Sequence, residues 1–335
     1  MKEPIRVGLW GCGGMGNSLA QALLAAGEAQ LVAVYDALPE RAAAIASTCG
    51  AQVSEHAEAL LSHPKLDGVI IALPSYLHAT AAIRAAEAGV HIFLEKPMAL
   101  TVADCQRIVA AVRTHNVKLM VGHVLRYHEP YRTILRYQAE GRWGRIFAAS
   151  IWRVAGGSSF SSGAEWRSSV GTSGGYISEV GAHEIDMLRC LMGQPQTVCA
   201  LMQKVLPRPH EWEDHISLQI RFVQGGTGAY EGGFGSFVRQ YGFRFFFEKS
   251  TLVSDVAFDP KALRAYGADG QPFSLEADFF PEDPVQAELR GWLAALRGEA
   301  PIPIPGEEGM ATVAVIEAAR RSLREGQVVL YEEFA

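Results

Sequence analysis

Apolar and polar positions change their period once along this chain. Up to residue 122, near-continuous apolar runs at Ile5–Trp10, Leu31–Tyr35, Gly68–Leu73, His91–Leu94 and Lys118–Val121 alternate with Ala-rich helical stretches at Asn17–Ala26, Pro39–Cys49, Ala79–Ala88 and Val102–His115. Strands that are apolar on both faces and separated by helices are what a parallel sheet covered on two sides demands. Right-handed crossovers then give a doubly wound α/β domain. Beyond about residue 125, Arg145–Val154, Gln196–Val205, Glu213–Val223, Thr227–Phe234 and Tyr241–Val253 read as strands with short connections. His215 to Phe222 alternates polar and apolar strictly, so one face is buried and the other polar, which favours an antiparallel sheet with one covered face. Helical periodicity returns at Glu179–Met192, Val285–Leu296 and Glu307–Glu325. The prediction is an α/β domain over 1–122 followed by an α+β domain over 123–335. The polar sheet face is either solvated or buried between subunits.

Composition narrows the class of protein. The 335 residues are 49% hydrophobic and 20% charged, enough for a sizeable core and against general disorder. A formal charge of −6 argues against nucleic acid or an anionic membrane as the main partner. The opening Met1-Lys2-Glu3-Pro4 runs into Ile5–Trp10, too short and wrongly flanked for a signal peptide, and no apolar run approaches the ~20 residues of a membrane helix. The five cysteines show no CxxC or CxxH spacing, which reads as reduced, mostly buried thiols in a cytoplasmic protein and offers no metal site.

The first motif with chemistry is Gly11-Cys12-Gly13-Gly14-Met15-Gly16, a GxGxxG between the first strand and the first helix. Its glycines allow a tight turn, close approach of backbone to a pyrophosphate and close strand–helix packing, with the helix N-terminus facing the phosphates. The second strand ends at Asp36, 20 residues past Gly16. A carboxylate there accepts hydrogen bonds from the adenosine ribose and repels a 2′-phosphate, so NAD is expected in preference to NADP. Arg41, five residues on, either stacks on adenine or meets a 2′-phosphate. Cys12 reads as a small packing residue.

Three further segments follow in order: Ala72-Leu73-Pro74-Ser75-Tyr76-Leu77-His78, Glu95-Lys96-Pro97, and Gly174-Gly175-Tyr176-Ile177-Ser178-Glu179-Val180-Gly181-Ala182-His183-Glu184-Ile185-Asp186. With the glycine loop they resemble the Gfo/Idh/MocA oxidoreductases, the glucose–fructose oxidoreductase and inositol dehydrogenase family, over essentially the whole chain. The resemblance implies a Rossmann domain and an open-faced antiparallel sheet, NAD(P) bound by the first domain, a sugar or polyol substrate at the junction, and homodimers or homotetramers assembled through the sheet. It adds Leu73, Pro74, His78, Glu95, Lys96 and Pro97 to the cofactor-binding set, with a cis Lys96–Pro97 bond. It also makes Lys96 and His183 catalytic, with Lys96 hydrogen-bonding the reacting hydroxyl and the nicotinamide ribose. Glu179 joins them as the residue that orients His183. The family usually carries Asp at that position.

Without the resemblance, Glu179, His183 and Asp186 at i, i+4 and i+7 form a polar stripe opposite Gly181, Ile185, Leu188 and Met192, an ordinary surface-helix pattern. His123, Arg126 and Tyr127 open the second domain, where a substrate or cofactor role competes with linker packing. Trp152-Arg153 and Trp166-Arg167 flank the Gly/Ser-rich stretch 156–175, which suggests a substrate loop with Trp stacking on a sugar ring and Arg binding hydroxyls or an acid group. His210 and His215 read as structural. The expected activity is NAD-linked oxidation of a secondary alcohol on a sugar, inositol or related polyol. One alternative is glycoside cleavage through transient NAD-linked oxidation at C3. Another is a non-catalytic dinucleotide-sensing regulator.

Overall fold

The computed structural model describes residues 4–64, 66–156, 165–207, 210–275 and 278–334. The chain divides into two compact units, one of residues 1–124 with 282–310 and the other of 125–281 with 311–335.

In the first unit, β1 (Ile5–Trp10), α1 (Gly14–Ala26), β2 (Ala29–Tyr35), α2 (Pro39–Cys49), β3 (Gln52–Val53), α3 (Ala57–Leu61), β4 (Gly68–Ile71), α4 (His78–Glu87), β5 (His91–Glu95), α5 (Val102–Thr114) and β6 (Leu119–Gly122) follow in turn. The six strands form an all-parallel sheet in the order β3-β2-β1-β4-β5-β6. All four residues of β4 and of β6 are buried, as a doubly covered sheet requires. The order reverses between β1 and β4, and in open sheets of this kind ligands bind beyond the carboxyl ends at that switch.

A single boundary near residue 122 does not describe the chain. Residues 282–310, which sequence patterning groups with the second domain, belong to the first unit. The physical reason is apolar shape. Trp292 is fully buried edge-on to Phe93 at 5.8 Å, and a Cβ on Gly68 would lie 2.8 Å from its ring. Lys118 Nζ also donates to the Ala295 carbonyl at 2.5 Å.

The second unit contains α6 (Tyr131–Ala139), β7 (Ile146–Gly156), α7 (Val170–Ser173), α8 (Gly175–Glu179), α9 (Gly181–Met192), β8 (Pro195–Gln203), β9 (His215–Phe222), β10 (Thr227–Gly233), β11 (Gly235–Phe247), β12 (Ser250–Ser254), β13 (Arg264–Gly267) and β14 (Pro272–Phe273). Next along the chain are α10 (Pro284–Leu296) and α11 (Gly306–Glu325), then β15 (Val329–Leu330). Nine strands form one sheet, β14-β13-β12-β11-β7-β10-β9-β8-β15, antiparallel except for the β10/β7 pair. Along β9, Ile216, Leu218, Ile220 and Phe222 are buried while the intervening residues are half-buried or exposed. The stretch Tyr241–Val253 is two strands, because Glu248 and Lys249 turn the chain and donate their N–H groups to the Arg145 and Trp143 carbonyls.

The stretch Glu179–Met192 is likewise two helices, broken at Val180. Gly181 permits the join: a Cβ there would lie 3.1 Å from the Tyr230 ring. Helix α9 is also not amphipathic in the expected sense. Glu184 and Asp186 are as deeply buried as Ile185 and Leu188, and only His183, Arg189 and Cys190 are partly open.

Candidate active site

The glycine loop sits at the switch point. Gly11 has φ +100°, its N–H donates to Tyr35 O at 2.8 Å, and a Cβ would strike Ala72 O at 2.5 Å. A Cβ on Gly16 would lie 1.9 Å from Gly11 O, so the turn closes only with glycine at both ends. Gly13 and Gly14, by contrast, have nothing within 4 Å of a Cβ, leaving room for an incoming group. Gly13 caps α1 without a side-chain hydrogen bond, so the helix keeps its N-terminal N–H groups for an anion. Met15 is exposed beside it. These residues fit a dinucleotide pyrophosphate.

Asp36 is half-buried and accepts from Cys12 N–H at 2.7 Å and Leu38 N–H at 2.9 Å, one on each oxygen. It therefore ties the glycine loop to the end of β2. Each carboxylate oxygen keeps a second lone-pair direction for a ribose hydroxyl. Arg41 is exposed on α2. Cys12 is buried, and burial, reinforced by the Asp36 charge, pushes its thiol up to about 12. It stays a neutral packing group, as its place in the loop suggests.

Leu73, Pro74 and His78 follow β4, and Glu95, Lys96 and Pro97 follow or close β5. The Lys96–Pro97 bond is cis, as the resemblance implied. Lys96 is half-buried and its N–H donates to Glu95 Oε2 at 3.1 Å, while Glu95 itself is buried. His78 is only 1% exposed, with Nδ1 2.7 Å from Pro97 O and Nε2 2.9 Å from Leu73 O. It holds the two strand ends to each other. His123 is buried just after β6.

In the second unit, His183 is half-buried on α9, between the fully buried Ala182 and Glu184. Glu179, at the end of α8, is 6% exposed, and its Oε2 lies 3.6 Å from Arg167 Nε. Arg167 in turn lies over the Trp166 ring at 5.0 Å. The structure thus joins three predicted residues, Trp166, Arg167 and Glu179. Residues 157–164 of the expected loop lie outside the described residues.

Two expected substrate residues are engaged elsewhere. Arg126 grips Asp186 through Nε (2.8 Å) and Nη2 (2.6 Å), with Thr312 Oγ1 donating to the same carboxylate at 3.3 Å. Arg153 donates to Glu184 at 3.1 Å. Trp152 cannot share a surface with Arg153, because successive strand side chains point to opposite faces. It lies on the open sheet face, beside Gly242 and under Arg244 at 5.1 Å. Tyr127 is half-buried in the turn that carries Arg126.

The supports of this site carry no motif. Trp212 Nε1 donates to Arg167 O at 2.8 Å, and the Glu211 carboxylate accepts from Ser169 Oγ and Val170 N. Arg320 of α11 donates to Gly174 O and to Ser178 Oγ (2.9 Å), the residue before Glu179. Only the glycine pair announces this region in the sequence. Gly174 and Gly175 both have positive φ, and a Cβ on Gly174 would strike Ser178 Oγ at 2.6 Å.

A glycine loop at the switch point of a parallel sheet, with a strand-end lysine nearby in the same sheet, defines a dinucleotide-binding enzyme fold. A family model described as an oxidoreductase family with an NAD-binding Rossmann fold matches residues 5–123, and a GFO/IDH/MocA C-terminal domain model matches 131–253. The chain belongs to the Gfo/Idh/MocA family of NAD-binding oxidoreductases. It is 28% identical over 332 residues to inositol 2-dehydrogenase of Rhizobium meliloti strain 1021, covering 96% of this chain and 97% of that protein. It is 29% identical over 233 residues to 2,7-anhydro-N-acetylneuraminate hydratase of Escherichia coli K12, covering 68% of this chain and 62% of that protein. Among solved structures, the WlbA dehydrogenase from Bordetella pertussis in complex with NADH and UDP-GlcNAcA superposes with a TM-score of 0.89 at 27% identity, covering 98% of this chain and 99% of that one.

Proposed function

We propose that this enzyme oxidises, reversibly, a secondary alcohol on a cyclic sugar, inositol or related polyol derivative with NAD, His183 taking the hydroxyl proton. The observation that carries the reading is a fitted glycine loop and strand-end Lys96 in the first unit together with a half-buried His183 in the second, flanked on α9 by the fully buried Ala182 and Glu184. The nicotinamide ring, when bound, supplies hydride acceptance. Lys96 stabilises the developing alkoxide as a nearby cation. Glu179, charge-paired with Arg167, supports the imidazolium that forms on His183. The relatives named for inositol oxidation and for an NADH and nucleotide-sugar complex support a polyol or sugar substrate.

The hydratase relative favours a second reading, in which the hydride is removed and returned so that elimination or hydration occurs without net redox change. A panel of inositols, aldoses, anhydrosugars and glycosides, read at the nicotinamide absorbance band, separates the two. Net NADH formation with a free sugar or inositol, faster with NAD than with NADP, is expected. Product without NADH accumulation assigns the second reading. A preference for NADP removes the ribose role from Asp36.

We also infer homo-oligomers built through the open sheet face. Ser217, Gln219, Glu231, Trp152 and Arg244 line a shallow cavity there, and Leu201 is 65% exposed on the same face. Sedimentation velocity should show a dimer or tetramer, and a 36.3 kDa monomer at micromolar concentration would overturn it.

A further inference from the structure

His78 has two carbonyl oxygens at hydrogen-bond distance from its two ring nitrogens, and a neutral imidazole has only one N–H to give. Either neutral tautomer would press a nitrogen lone pair against a carbonyl lone pair at 2.7 or 2.9 Å in a site only 1% exposed. Only the imidazolium donates to both. We propose that His78 is a doubly protonated positioning residue, whose two donated hydrogen bonds fix the Leu73 end of β4 and the Pro97 end of β5 and so place Lys96.

The surrounding charges are consistent with a cation. Strand β4 carries no titratable side chain. On α4, Arg84 pairs with Glu58 and Glu87 is exposed. On α5, Asp104 pairs with Arg107 and Arg113 with Glu307, while Cys105 is a buried thiol. His91, at the far end of β5, accepts from Lys118 N–H. Tyr76, in the turn before His78, is exposed. Glu95 and Lys96, one of each sign, precede Pro97; the buried His123 follows the neighbouring strand β6, and Glu307 and Glu308 lie on α11, whose Gly309 packs against Met98. The N-terminal turn of α4 opposes a cation. Burial opposes it too, and the two carbonyl oxygens at hydrogen-bond distance are what favour it.

The sign of the pH effect follows. A cation stabilised by the folded state has a raised pKa, so the clamp is intact at lower pH and lost as pH rises through the folded-state value. The consequence for NADH rests on the NAD-binding reading, whereas the protonation state does not. Nitrogen NMR of histidine-labelled protein, without cofactor at pH 7.5, should show both His78 ring nitrogens protonated. His78→Gln assigns the signal, or contacts to Leu73 and Pro97 do if that variant does not fold. A pyridine-type nitrogen on His78 would overturn the cationic clamp outright. In the binding arm, wild type should lose NADH affinity as pH rises, and His78→Gln should weaken NADH about tenfold and flatten that alkaline loss. Wild-type NADH affinity in a folded His78→Gln would overturn the positioning role, even if the imidazolium is confirmed.

Discussion

Replacing His183 with asparagine is expected to lower kcat by about 10²–10⁴-fold, the usual contribution of a positioned general base. NADH affinity should change by less than about twofold, because the proposed pyrophosphate and ribose contacts, Gly11–Gly16 and Asp36, belong to the other unit. Histidine suits proton acceptance near neutral pH, since an ordinary imidazole titrates near ~6.5, while an ordinary lysine at ~10.4 would need strong depression to accept a proton. Lys96→Met should separate from it by lowering kcat and weakening cofactor binding together. The variants are compared by single-turnover kinetics and by NADH fluorescence titration. The assignment fails if His183→Asn keeps near wild-type kcat while Lys96→Met abolishes turnover, because the lysine would then be the base.

What the sequence made legible was local. The glycine loop, the first two apolar strands and Asp36 all fall within the 32 residues from Ile5 to Asp36, and each declares itself by spacing or by an obligatory φ. Alternation along β9 was equally plain, since a strand exposes its period without help from distant residues. What failed was everything decided by a remote partner. Asp186 reads as part of the polar side of a surface helix because charge normally means solvent, and Glu184 falls in neither stripe. Their burial depends on Arg126, 60 residues earlier, and Arg153, 31 earlier. Trp292 joined the first unit because Gly68, more than 200 residues before it, leaves room for the indole. Trp152 and Arg153 could have been separated from sequence alone, because the strand period already assigns them opposite faces.

The buried pair under α9, the helix that carries His183, should prove the most sensitive point for stability. Glu184 is fully buried and its Oε1 accepts from Arg153 Nη1 at 3.1 Å, while Arg153 lies over the Tyr241 ring at 4.9 Å. Burial alone would lower the guanidinium pKa, yet the Glu184 carboxylate together with the Tyr241, Tyr176 and Tyr230 side chains outweighs it and holds the group above its ordinary value. The same carboxylate adds to burial in pushing the Tyr131, Tyr176, Tyr230 and Tyr241 hydroxyls up, so all four stay neutral around one compensated charge. Arg153→Met strips that compensation and leaves a carboxylate among apolar rings. The expected loss is about 3–5 kcal/mol, the usual result of breaking one side of a buried pair. Replacing both residues, as Arg153→Met with Glu184→Leu, removes the stranded charge along with the bond and should recover most of the loss. Urea denaturation of the two single variants and the double variant gives the coupling directly. If Arg153→Met unfolds within about 1 kcal/mol of wild type, the pair is not what holds α9 on the sheet. If the double variant is as stable as wild type but His183-dependent turnover falls, the pair's contribution is the rotation of α9 about its axis, and with it the direction in which His183 is presented.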